Sequence, residues 1–195
     1  MKKISYLLLI LSMTLLFSCY KDTNNRPTLD DYKIYKSFIE DSLWYKNLLQ
    51  KTGKDKIVFR KLDDSELKDV ITMEDKLAYD SRFEDKYIFS PDKNMILDPY
   101  SYGLEISDSG EELRDADTAL FLYDIKNKKS ASVFYIGPSG KIELVSWIND
   151  NSFITVTSDR ETEQKMNFTI LVYQIDKDKI SKISGFSGEA FLNEL

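Results

Sequence analysis

Apolar positions along this chain follow two rhythms, and one gives way to the other near Tyr87. Upstream, Tyr32, Tyr35, Phe38, Ile39, Leu43, Tyr45, Leu48 and Leu49 recur mostly at three- and four-residue intervals. That spacing lays a stripe along one side of an α-helix. Thr28-Leu29-Asp30-Asp31 places a capping-type Thr and two acids before the stripe, and Gly53 supplies a stop behind it. The pattern predicts an amphipathic helix over 30–50 whose aromatic stripe packs on the protein's own core. Ile57 to Leu62 reads as a strand. The charged stretch 63–76, with Leu67, Val70 and Ile71 as its apolar points, reads as a short second helix.

From about Lys86 onward, short β-rich runs alternate with turn residues. The expected strands are 87–89, 95–97, 119–125, 130–136, 142–148, 153–157, 168–175 and 179–183. Ser90-Pro91-Asp92, Lys126 to Lys129, Gly137-Pro138-Ser139-Gly140, Asn149-Asp150-Asn151 and Asp176-Lys177-Asp178 punctuate them. Evenly spaced strands joined by tight turns predict an antiparallel meander.

Two stretches of this meander resemble one another. Phe89-Ser90-Pro91-Asp92-Lys93-Asn94-Met95-Ile96-Leu97 is followed by Leu120-Phe121-Leu122-Tyr123-Asp124-Ile125. Val145 to Ile154 is likewise followed by Ile170-Leu171-Val172-Tyr173-Gln174-Ile175. Both resemble blades of TolB-like and WD-repeat-like β-propellers. A blade takes about 40–45 residues, so 86–184 holds about two, whereas a closed ring typically has at least four. The expected class is therefore mainly β (α+β). Its architecture is an antiparallel meander of blade-like sheets covered on one side by the N-terminal helix, and too short to close into a propeller.

The chain opens with Lys2 and Lys3, then an apolar run from Ile4 to Phe17, then Ser18-Cys19 and a polar stretch. The run is shorter than the roughly 20 apolar residues a spanning helix needs, and it has the layout of a signal peptide. Ser18-Cys19 resembles the lipobox of bacterial lipoproteins, in the looser form found in Bacteroidetes. The resemblance implies cleavage before Cys19, acylation of its thiol, and a lipid-anchored place in the bacterial cell envelope, at the outer membrane. The resulting organisation is a signal peptide at 1–18, the lipidated Cys19 and a polar tether at 19–28, a helical and mixed segment at 29–85, and a β-rich domain at 86–195.

Composition narrows the chemistry. With 195 residues, 42% of them hydrophobic and 13% aromatic, the chain can build a core and is not a disordered polymer. It has no His and one Cys, which removes Ser-His and Cys-His dyads, His-ligated zinc, Cys-rich clusters and an intrachain disulfide. The net charge of −6 falls to −8 once residues 1–18, with their two lysines, are removed. An acidic body of this kind is a poor match for nucleic acid and is repelled by anionic lipid, so no nucleic-acid partner is expected.

Several motifs have an ordinary reading that outweighs the chemical one. Ser90-Pro91-Asp92-Lys93 and Lys51-Thr52-Gly53 fit motifs of penicillin-recognising serine enzymes, but in reversed order and with the Ser in a turn. The acidic run 108–117 could offer oxygen ligands to Ca²⁺, yet it lacks EF-hand spacing and reads as a solvated loop. Asn167-Phe168-Thr169 fits a glycosylation acceptor that an envelope lipoprotein would not normally use. No cofactor is expected.

Aromatic residues remain: Trp44, Tyr45, Tyr100, Tyr102, Tyr135 and Trp147. Strand alternation assigns Tyr135 and Trp147 to the core. Tyr100 and Tyr102, between Pro99 and Gly103, are the surface candidates for contact with a protein or glycan. The expected function is non-catalytic: an envelope lipoprotein that binds a macromolecular partner through its β-rich domain. The competing expectations are a carboxylate-based hydrolase of envelope glycans and a protective lipoprotein that neutralises a toxin or lytic enzyme.

Overall fold

Strands that alternate apolar and polar residues and end in Asp-, Asn- and Lys-rich turns pair most readily with their sequence neighbours. The chain does this twice. Its structure, a computed structural model, describes residues 38–192 apart from 56, 77, 78, 108 and 115. The Cys19 anchor, the signal peptide and the first part of the 30–50 helix lie outside the described residues.

In chain order the elements begin with helix α1 (Leu43–Thr52), β1 (Phe59–Lys61), a 3-10 turn (Asp64–Leu67), β2 (Val70–Thr72) and a 3-10 segment (Ser81–Lys86). Next come β3 (Ile88–Phe89), β4 (Met95–Asp98), β5 (Leu104–Ile106), β6 (Glu112–Arg114), β7 (Thr118–Asp124) and β8 (Lys129–Ile136). The series closes with β9 (Gly140–Asn149), β10 (Ser152–Arg160), β11 (Lys165–Asp176) and β12 (Lys179–Phe191). Strands β3-β4-β7-β8 form one antiparallel meander and β9-β10-β11-β12 another, with β5 and β6 paired as a separate hairpin. Both β1 and β2 pair with the outer edge of β12, completing a six-stranded sheet. The sheets do not close into a ring.

The second helix expected over 63–76 is not there. Asp64–Leu67 makes a single 3-10 turn, and Val70–Thr72 is extended against Ser181, Ile180 and Lys179. Pairing of the β-branched Val70 and Ile71 to a sheet edge outweighs the single i, i+3, i+4 set that Leu67, Val70 and Ile71 make. Residues 59–61 and 70–72 thereby join the sheet of β9 to β12.

The two meanders share one core. Leu97, Leu120, Leu122 and Val133 from the first meet Trp147, Phe153, Tyr173 and Ile180 from the second. Phe153 and Tyr173 lie stacked at 4.7 Å and are fully buried. The Trp147 indole donates to the Ile88 carbonyl at 2.8 Å, a hydrogen bond that runs from one sheet to the other. A second such link joins the turns, where the Asp92 amide donates to Asp150 Oδ1 at 2.9 Å.

On the far face of the six-stranded sheet, Ile154, Val156, Phe168, Ile170 and Val172 are buried. Helix α1 packs on this face at Phe168. Ser42 caps it by accepting the Tyr45 amide at 3.1 Å, and Gly53 ends it at φ 62°. Trp44 meets Phe168 edge-on at 5.5 Å, and the buried Tyr45 hydroxyl accepts the Ile57 amide at 3.1 Å. Burial of Tyr45 and Leu48, with Trp44 half-buried beside them, stabilises the docking of a helix too short to stand alone in water.

Strand β12 runs well past the expected 179–183. Its second half, Ser184 to Phe191, breaks apolar alternation with Gly185 and Gly188. Gly188 faces Phe59, and a Cβ there would come within 2.7 Å of that ring. The glycine makes room for an aromatic residue from the neighbouring strand. It does not mark an end.

Candidate functional site

The site is built on the outer face of the β3-β4-β7-β8 sheet, where the chain leaves β4. Asp98, the last residue of that strand, is fully buried. Its Oδ1 accepts the amides of Tyr100 and Ser101 at 3.0 and 2.9 Å, and its Oδ2 accepts the Ser101 hydroxyl and, at 3.3 Å, that of Tyr123. A carboxylate holding two successive amides makes an Asx turn, and Gly103 closes the loop at φ 66°. The backbone from Pro99 to Gly103 is thereby fixed, and the two tyrosines project to different places.

Tyr100 turns inward. It packs on Phe83 at 6.5 Å, beside the buried cluster of Phe83, Tyr87, Ile96 and Tyr123, and its hydroxyl donates to Glu112 on β6 at 2.5 Å. Lys86 lies 5.5 Å from its ring. Tyr102 turns outward. Its ring meets Tyr135 edge-on at 5.3 Å and Phe121 at 6.1 Å, and Tyr135 meets Phe121 at 90° and 6.2 Å. Tyr102 is 36% exposed and Tyr135 61% exposed. The result is an aromatic patch of Tyr102, Phe121 and Tyr135 at the solvent surface.

Tyr135 corrects the core assignment made from alternation. Ala131 and Val133 do face the shared core, and strict alternation would send Tyr135 after them. The β7–β8 register, however, shifts between Leu120 and Phe121: Leu120 faces Phe134 and Phe121 faces Ser132. Val133 is the extra residue of a bulge, which reverses the faces that follow it. Phe134 therefore packs toward the core and Tyr135 comes to lie opposite Ala119, on the outer face. Trp147, by contrast, is buried as alternation predicts.

Burial sets the electrostatics beneath the patch. The Tyr87 phenol is pushed up to about 12, chiefly because burial penalises its charged form. Burial and the nearby Asp98 carboxylate raise Tyr123 well above the usual tyrosine range. Both phenols stay protonated through the physiological range and act as hydrogen-bond donors. Tyr87 donates to the Asp80 carbonyl at 2.7 Å, tying the 3-10 segment to the sheet.

The other candidates have local roles. Ser90 donates to Asp92 at 2.7 Å and accepts the Met95 amide at 3.0 Å, so its hydroxyl closes a hairpin. The Thr52 hydroxyl donates to the Leu49 carbonyl, beside the helix stop at Gly53. Within the acidic run, Glu112 to Arg114 is strand β6 and not simply loop, and Ser107 accepts the Glu111 amide to turn the hairpin. Asn167 sits within β11 and donates to Glu161 at 3.1 Å. Among the described residues, no three acidic, His or Cys side chains form a group that could hold a metal ion. No described helix is long and apolar enough to cross a membrane.

The patch contains Tyr102, the surface candidate from sequence, Tyr135, which alternation assigns to the core, and Phe121, which sequence reasoning does not single out. The available signal was the aromatic character of the β7 and β8 runs, but the bulge that turns Tyr135 outward leaves no mark in the residue pattern. Comparison with protein families, with characterised sequences and with solved structures finds no match to this chain.

Proposed function

We propose that this chain is a non-catalytic, lipid-anchored protein of the bacterial envelope, held through Cys19, whose β-rich domain binds a macromolecular partner. The contact surface in this reading is Tyr102, Phe121 and Tyr135. One observation carries it: rings that could have packed inward meet edge-to-face at the surface, next to a loop fixed by Asp98. Tyrosine presents a large rigid face and a polar tip, and few other side chains contribute as much to a contact or to stacking on a sugar. The rings are already ordered by mutual edge contacts, so binding forfeits little side-chain entropy.

The hydrolase reading draws less support from the same region. Asp98, the carboxylate most closely tied to the loop, is buried and fully engaged in holding backbone amides and hydroxyls. Two facing carboxylates at a cleft are what that chemistry requires.

The test is capture from solubilised membranes by the acylated protein. Wild type should retain a stoichiometric partner, and Tyr102→Ala with Tyr135→Ala should weaken it about 30-fold or more, since interface tyrosines can each contribute about 2 kcal/mol. A partner retained undiminished by a folded double variant would rule out the patch. Turnover of envelope glycan without a stable partner would favour the hydrolase. Cys19→Ala should release the protein from membranes or leave an uncleaved precursor.

A further inference from the structure

The groove between α1 and the far face of the six-stranded sheet has a chemistry unlike the rest of the chain. Its volume is about 860 Å³, within the range of small-molecule sites. Trp44, Leu48 and Lys51 share one side of α1, one turn apart, and form one wall. Leu144, Met166 and Phe168 form the apolar part of the other. Its charged groups are mostly cationic: Lys51 on the helix, Lys141 and Arg160 on the sheet, against a single carboxylate, Glu143, with Asn47, Ser139 and Ser158 as neutral polar neighbours.

That carboxylate is already engaged. Glu143 accepts the Ser158 hydroxyl at 2.8 Å and lies 3.5 Å from Lys141, with its side chain 14% exposed. Among the described side chains, Arg60 and Arg82 are each held in a carboxylate pair, whereas Arg160 is in none. Lys51 likewise has no described acidic partner, although the chain carries a net charge of −6. A local excess of positive charge over an apolar floor, on an otherwise acidic protein, is complementary to one ligand chemistry.

We infer that this groove binds a single-chain amphipathic carboxylate of the fatty-acid type, its apolar body along the half-buried Trp44, Leu144 and Met166 and its head at Lys51 and Arg160. Arg offers a planar fork that matches a carboxylate, and Lys adds a point charge from the facing wall. Lys51 and Arg160 are exposed, so the head keeps contact with solvent. The inference does not depend on the aromatic patch, which lies on the other sheet.

The test is equilibrium binding of palmitate, kept below micelle formation, to the mature chain, with hexadecanol as the neutral analogue. Saturable one-to-one binding of palmitate is expected, with hexadecanol at least about tenfold weaker. Lys51→Ala with Arg160→Ala should weaken palmitate about tenfold at unchanged melting temperature, because both side chains are exposed. Arg160→Lys should keep most of the affinity, and Lys93→Ala, a cation in a distant turn, all of it. The inference fails if palmitate does not saturate, if hexadecanol binds equally, or if the groove variants bind like wild type. It also fails if those variants instead abolish a concentration-dependent dimer, which would assign the groove to a second copy. Sedimentation with phosphatidylglycerol vesicles but no binding of monomeric palmitate would assign the cations to a membrane surface and equally overturn it.

Discussion

In the second meander, β10 passes to β11 through Glu161 to Gln164, closed by the amides of Glu161 and Thr162 donating to the Lys165 carbonyl. In the first, the corresponding passage from β4 to β7 takes residues 99–117 and carries the whole β5–β6 hairpin. The strands differ as well. Those of the second run 9 to 13 residues, those of the first 2 to 8. Both sheets give one face to the same core, but α1 covers the far face of the longer sheet, while the shorter is roofed by loop, 3-10 segment and hairpin. The same plan thus yields a long-stranded half joined by short turns and an interrupted half that displays aromatic side chains. Register shifts occur in both sheets, at Ser152/Phe153, Val156/Thr157 and Val172/Tyr173 in the second and at Leu120/Phe121 in the first. Only in the first does a shift lie beside a long connection, and the candidate contact surface sits there.

The most drastic way to break this comparison is to remove what the halves share. Phe153→Ala should cost about 3–5 kcal/mol, read from urea unfolding. It should raise hydrogen exchange at Leu122 and Val172 together. Protection kept at Leu122 would mean that the first meander stands without the second. A smaller effect should separate the two tyrosines of the 99–103 loop. Tyr100→Ala should lower stability by about 2 kcal/mol, whereas Tyr135→Ala should cost below about 0.5 kcal/mol. Equal losses would erase the distinction between core and display.

Alkaline titration reaches the interrupted half through Tyr87. Tyr87 titrates near 12 in the folded protein, against an ordinary value of 10.0. Its raised value adds stability that is complete below pH about 10 and lost as pH climbs toward 12, because the unfolded phenol ionises first. Unfolding free energy should therefore hold steady from neutral pH to about 10 and then fall, and Tyr87→Phe should flatten that fall. The smallest effect concerns turns common to both halves. Lys93, Lys128 and Lys177 sit at φ 60°, 57° and 57°, each just after an Asp or Asn. Replacing each with Gly relieves a left-handed backbone and should raise stability by about 0.5 kcal/mol. A matching gain at all three would show that the turns are equivalent in the two meanders.

Much of both meanders was readable from residue order. The turns at Asp92, Asn127, Asn149 to Asn151 and Asp176 fall where Asp, Asn and Lys clusters put them. What could not be read depends on long-range contact. The 63–76 stretch becomes strand only because β12 offers an edge. The second half of β12 is extended because Gly188 lies under Phe59. The outward turn of Tyr135 depends on a bulge whose position is fixed by pairing with β7. Tyr102 was accessible to sequence reasoning through Pro99 and Gly103, but its separation from Tyr100 rests on Asp98, an acid whose burial nothing nearby in sequence announces.

The pairing of β1 and β2 with β12 also has a consequence for the order in which the molecule can be assembled. Two early segments, Phe59–Lys61 and Val70–Thr72, lie end to end along a strand that leaves the ribosome more than a hundred residues later. Closing so long a loop is entropically costly and slow relative to hairpin formation. Until β12 arrives, β11 has an open edge and both early strands lack a neighbour. Strand β12 thus acts as a clasp between early and late chain. A protease that cuts at the Asp176–Lys179 turn would free the clasp at its hinge, and the six-stranded sheet would open from that side first.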